Sequence, residues 1–152
     1  MKTFKHLLPL LGLSIALGAC ASNLTDGERL ALYQSHAGAP VKDFRYFSNN
    51  ISWTPLGDEA LAVWTKPREA YLLNLAGPCM DLDSAPAITI SNLMGTVSAG
   101  FDNVYVHGGG GAPGFRMPCR IQTVRPLDVT ALKAAQQELR EAKAVEREQK
   151  SN

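Results

Sequence analysis

WTPLGDEALAVWTKPREAYLLNLAGPC, residues 53–79, is the stretch on which the reading of this chain turns. Ala60 to Lys66 is rich in β-branched and aromatic residues on alternating positions, Pro67 and Arg68 fill the middle of a turn, and Ala70 to Leu75 is a second apolar run of strand length. Together they read as one β-hairpin. Its second arm delivers Cys79 to a place where Cys119 can meet it. Alternation puts Leu61, Val63 and Thr65 on one face of the first arm and Ala60, Ala62 and Trp64 on the other.

Working back from the hairpin, Lys42 to Ile51 alternates poorly, although Phe44, Tyr46 and Ile51 suggest a first strand broken around Asn49-Asn50. Before it, Thr25-Asp26-Gly27-Glu28 matches the capping box, so a helix of about three turns should run to roughly His36. Leu30 and Tyr33 share its apolar face, Gly38 stops it and Pro40 follows. Working forward, Asp81 to Ala85 is loop, and Ala87 to Ser91 alternates as a strand with Ile88 and Ile90 on one face. Thr96 to Ala99 and Asp102 to His107 read as short strands separated by Gly100, a glycine-rich loop fills Gly108 to Pro118, and Cys119 to Val124 reads as the last strand.

Pro126 ends that strand, and Asp128 caps a final helix from about Val129, with Leu132, Ala135, Leu139 and Ala142 as its apolar stripe. Beyond Ala144 the side chains are nearly all polar, so residues 145–152 should fray or project into solvent. The expected architecture is a single α+β domain over residues 25–144. It holds a mostly antiparallel curved sheet or small open barrel of about six or seven short strands, flanked by an N-terminal and a C-terminal helix.

The amino end has a different character. Lys2 and Lys5 precede an apolar run from Leu7 to Ala19, too short to span a bilayer comfortably and weakened as a helix by Pro9 and Gly12. Residues 1–19 therefore read as an export signal rather than a transmembrane anchor. Their ending, Leu17-Gly18-Ala19-Cys20, resembles the lipobox of bacterial lipoproteins, which implies cleavage before Cys20 and lipid on that cysteine. The alternative is an ordinary secretory signal with a chance cysteine. Each buried methylene contributes about 0.8 kcal/mol, so several acyl chains would make a stable anchor. Ala21 rather than Asp follows the cysteine, and the sorting rule that comes with the resemblance then favours the periplasmic face of the outer membrane. Residues 20–24 would form a tether of at most about 14 Å.

From Cys20 to Asn152 the chain has 133 residues, enough for one domain with a sizeable core. Without Lys2 and Lys5 it carries 13 basic and 14 acidic side chains, so neither nucleic acid nor an electrostatic grip on anionic lipid is expected. Partners are instead the membrane, through the lipid anchor, and an envelope protein or glycan.

Once Cys20 is assigned to lipid, Cys79 and Cys119 remain as an even pair in a compartment that permits disulfides. Two free buried thiols are the alternative. A zinc site with His36 or His107 lacks Cys-x-x-Cys or His-x-x-x-His spacing, so no metal or cofactor is expected. His107-Gly108-Gly109-Gly110 looks like an esterase oxyanion loop, but that chemistry needs a Gly-x-Ser-x-Gly elbow, and Gly95 to Gly100 has the wrong register. Asp81 and Asp83 read as turn residues between Pro78 and Pro86, and His36 as a helix-end side chain. No catalytic residue is assigned. Trp53 and Trp64, at the hairpin, are the candidates for a binding surface; their bland alternative is a strand covered on both faces.

Several motifs occur in order: Trp53-Thr54-Pro55-Leu56-Gly57, Ala70-Tyr71-Leu72-Leu73, Pro78-Cys79, Gly100-Phe101-Asp102-Asn103-Val104, Pro118-Cys119-Arg120-Ile121 and Arg125-Pro126-Leu127-Asp128. From about Phe44 to about Leu139 the chain resembles the small proteobacterial lipoproteins gathered as domain of unknown function 6491. The resemblance implies an exported domain with Cys79 paired to Cys119 and brings no activity with it. Two functions stay open: a non-catalytic binding or structural module of the envelope, and a small hydrolase-like periplasmic enzyme. A cleft gathering His107, Asp102, Asp81 or Ser98 would favour the enzyme.

Overall fold

Alternation at β3 (Ala60–Lys66) and β4 (Glu69–Leu75) builds the central hairpin of the computed structural model, which describes residues 24–47, 52–108 and 118–151. The signal segment, Cys20, Asn49-Asn50, Ile51 and most of the glycine-rich loop lie outside the described residues. Around the hairpin, in chain order, are α1 (Asp26–Ser35), β1 (Asp43–Arg45), β2 (Ser52–Pro55), β5 (Ala87–Ile90), β6 (Thr96–Ser98), β7 (Asn103–His107), β8 (Pro118–Pro126) and α2 (Val129–Ser151). Six strands form one antiparallel half-barrel in the order β2-β3-β4-β8-β7-β5, and β1 pairs with β6 in a separate two-stranded ribbon. The α+β class and the curved antiparallel sheet are as the sequence indicates.

One boundary differs. Ser52–Pro55 pairs with β3, Trp53 opposite Val63, so the quoted stretch holds three strands rather than a single hairpin. Pro55 argues against a strand in sequence, but β2 lies at the sheet edge, where a missing backbone donor is tolerated. The uneven run before it supplies only three strand residues. Phe44 is turned inward there, stacking on Tyr71 at 4.5 Å between ring centroids.

Both faces of β3 are buried. On the inner face Leu61, Val63, Leu73, Leu75, Val104, Ile121 and Val124 form the larger core, closed by Phe44 and Val97 from the ribbon. The outer core takes Ala60, Ala62, Ala70 and Leu72 from the sheet, and Tyr33, Val129 and Leu132 from the helices. Three alanines on that face leave room for helices to approach closely, which is how so short a sheet excludes water on both sides. This outer core draws on β3 and β4, not on β5 or β7.

α1 begins in a complete capping box, with the Thr25 amide donating to Glu28 Oε2 at 2.8 Å and the Glu28 amide to Thr25 Oγ1 at 3.3 Å. Arg29 Nη1 donates to the Pro55 carbonyl at 3.1 Å, fixing that end beside the β2–β3 turn. At the other end Arg125 donates to the carbonyls of Gly38 and Ala37, both at 2.8 Å. α2 starts where Asp128 Oδ1 accepts from the Ala131 amide at 3.0 Å, and its helical bonding continues through Ser151 although every side chain beyond Lys143 is exposed.

Cys79 and Cys119 are bonded, with Cα atoms 5.6 Å apart. The bond ties the segment after β4 to the start of β8 and excludes the free-thiol alternative.

Candidate functional site

Trp53 and Trp64 do not come together. Trp53 faces the inner core, while Trp64, opposite Ser52, packs on the outer one, and both are half-buried. The Trp64 indole donates to Thr54 Oγ1 at 3.2 Å, and the Lys133 ammonium lies 5.8 Å from its ring centroid. Strand alternation makes this placement unavoidable, because their β2–β3 register partners are neighbours and neighbouring residues face opposite ways.

The polar side chains that a catalytic reading would need are also spread apart. Asp102 accepts from Ser91 Oγ and from the Ser98 amide, both at 2.7 Å, which closes the turn between β6 and β7. His107 Nε2 lies 2.6 Å from Thr89 Oγ1 across the β5–β7 pair. Asp102 sits just before β7 and His107 ends it, five positions on, a span of about 16 Å if extended. Asp81 and Asp83 are exposed in the turn after Cys79, with Asp81 at φ +63. His36 Nδ1 donates to the Leu32 carbonyl at 2.8 Å, the helix-end role expected of it. Among the described residues no group of three His, Cys, Asp or Glu side chains could hold a metal ion.

Charge perturbations follow structure in the same way. The amide of Thr25 holds the Glu28 carboxyl below its ordinary range, and Lys66, bonded at 2.8 Å, does so for Glu69 with help from Thr65. Burial pushes Tyr46 and Tyr71 up.

Exposed apolar side chains concentrate at the two ends of the β1–β6 ribbon. Past the Arg45–Thr96 pair come Phe47, Leu93 and Met94, which are 66%, 77% and 92% exposed. Past the Asp43–Ser98 pair come Val41 and Phe101, the latter 84% exposed. Phe101 borders an open groove of about 510 Å³, lined also by Pro40, Val41, Lys42, Ala99 and Gln122. Phe101 falls in one of the motifs that carry the family resemblance, but Phe47, Leu93 and Met94 follow no strand or helix period that would mark them as a surface. The one available signal is Met94-Gly95 between two short strands, which marks a hairpin tip.

A family model described as "Family of unknown function (DUF6491)" matches residues 3–143. No curated protein and no solved structure matches the chain.

Proposed function

Because the chain belongs to the DUF6491 family, which carries no activity to transfer, we propose from its own residues that it is an exported, lipid-anchored protein of the bacterial cell envelope. In this reading it serves as a non-catalytic binding or structural module. The amino-terminal segment and Cys20 support the address, and the periplasmic face of the outer membrane follows from Ala21. The observation that carries the binding role is the apolar ribbon: large side chains exposed at both ends, with a groove beside one of them. The occupant would be an envelope protein or glycan. Trp53 packs against the inner core that the ribbon closes, and Trp64 against the outer core on the opposite face.

Cross-linking in intact envelopes, followed by isolation of the full chain, tests this. A specific partner whose capture falls when Phe101→Ser and Met94→Ser are combined supports the ribbon, provided the variant keeps its melting temperature. Equal capture by the variant overturns it. The enzymatic alternative starts from the Thr89–His107 pair. If His107→Ala reproduced a deletion phenotype while the protein stayed folded, catalysis would replace binding as the reading.

A further inference from the structure

The two helices lie antiparallel on the outer core. The Asp128 amide donates to the His36 carbonyl at 2.9 Å, and Gln136 Nε2 reaches the Tyr33 hydroxyl at 3.4 Å. Along α2 the partners therefore step from the carboxyl end of α1 toward its amino end. Beyond the Tyr33 level α1 has eight residues back to Thr25, a rise of about 12 Å, whereas α2 has fifteen from Gln136 to Ser151, about 22 Å. Thus α2 overhangs the amino end of α1 by up to about 10 Å.

The same pole carries the β2–β3 turn and Met80. Gly57 lies beside Asp26, the Cys79 amide donates to the Asp58 carbonyl at 2.8 Å, and Met80 next to it is 74% exposed. The opposite pole holds the Lys66-Pro67-Arg68 turn, to which Lys133 near the start of α2 donates at 3.1 Å.

We propose that the carboxyl-terminal turns of α2 rest against lipid headgroups and hold the domain upright, with the α1 amino end toward the bilayer and the Lys66–Arg68 turn away from it. This inference rests on the lipid-anchored reading. From Cys20 to Thr25, the residue at which the overhang begins, the chain reaches at most about 17 Å. Subtracting the overhang leaves about 7 Å, comparable with the headgroup layer of one leaflet at about 5–8 Å. So short a strap cannot lift the helix end clear of the membrane. Charge does not drive the contact, since Lys143, Arg147 and Lys150 are offset by Glu141, Glu146 and Glu148, with Glu146 bonded to Lys150 at 2.7 Å. The strap sets it, and salt should not release it.

The test uses the full acylated chain in vesicles of phosphatidylethanolamine and phosphatidylglycerol, with a photo-crosslinking amino acid placed at Glu148 or, in a separate protein, at Arg68. Lipid adducts should be several-fold more abundant from position 148 than from 68, at low and at high salt. Inserting eight Gly and Ser residues between Ala21 and Ser22 adds about 28 Å of reach and should lower the yield from 148 several-fold. Equal yields from the two positions, or a yield from 148 that ignores the longer strap, would overturn the orientation while the anchor stood. A Cys20 without lipid by intact mass would overturn the anchored reading itself and the orientation with it.

Discussion

Met94 holds its backbone at φ +51 and Gly95 follows at +75, with Leu93 and Thr96 exchanging backbone bonds of 3.0 Å around them. Positive φ at both central residues suits Asn-Gly, and a methionine there is strained. Met94→Asn should raise stability by about 0.5–1 kcal/mol in urea unfolding. A loss of partner capture by the same variant would show why methionine stands there. Gly108, at φ +80, has the reverse sensitivity, since a Cβ would come within 2.7 Å of the Pro86 ring. Gly108→Ala should cost about 1–3 kcal/mol. Glu28 gives the chain a pH response with a defined sign. Its carboxyl is lowered by the Thr25 amide, so its contribution is complete above the ordinary Glu range and fades as pH falls through that range toward the lower folded value. Glu28→Gln should flatten the acid limb of a pH–stability profile below about pH 4.5. The capping box was legible because its signature is four consecutive residues. Met94 was not, because an apolar residue in that turn contradicts the preference by which such turns are recognised.

Elements whose pattern is local were read closely: β3, β4, β5 and both helix starts lie within a residue or two of where alternation and caps place them. β2 is not legible in this way, since four residues ending in proline make sense as a strand only once an edge position is known. The pairing of β1 with β6 is likewise tertiary, being fixed by Phe44 seeking the inner core rather than by any period. At this scale the disulfide is the main contributor that can be tested alone. It closes a separation of 40 residues, worth about 4 kcal/mol by the chain-entropy treatment. Reduction should lower the melting temperature by on the order of 10–15 °C. Leu132, fully buried between α2 and the sheet, gives a second measure: Leu132→Ala should lose about 2–5 kcal/mol in denaturant unfolding.

For the molecule as a whole, the sheet and helices share the two cores, and the last turns of α2 contribute no buried side chain to either. Removing residues 144–152 should change unfolding free energy by no more than about 0.5 kcal/mol, because every described side chain there is exposed. A larger loss would mean that the overhang contributes to the core. The candidate surface is less legible than the fold, since exposure is a property of the assembled chain and Phe101 or Leu93-Met94 carries no period. The strand order has a further meaning in time. β4 and β8 are neighbours at the middle of the half-barrel, yet Tyr71 pairs with Pro126 and Leu75 with Ile121, so the seam joins parts of the chain made far apart. A chain exported behind an amino-terminal signal emerges amino end first, so the β2-β3-β4 meander can form early while the free edge of β4 waits for the last strand. Until β8 arrives that edge is open to pairing with another chain, and Cys79 is an unprotected thiol. Closure then arrives late and all at once, which makes a truncated or stalled chain a hazard to its neighbours rather than a smaller working domain.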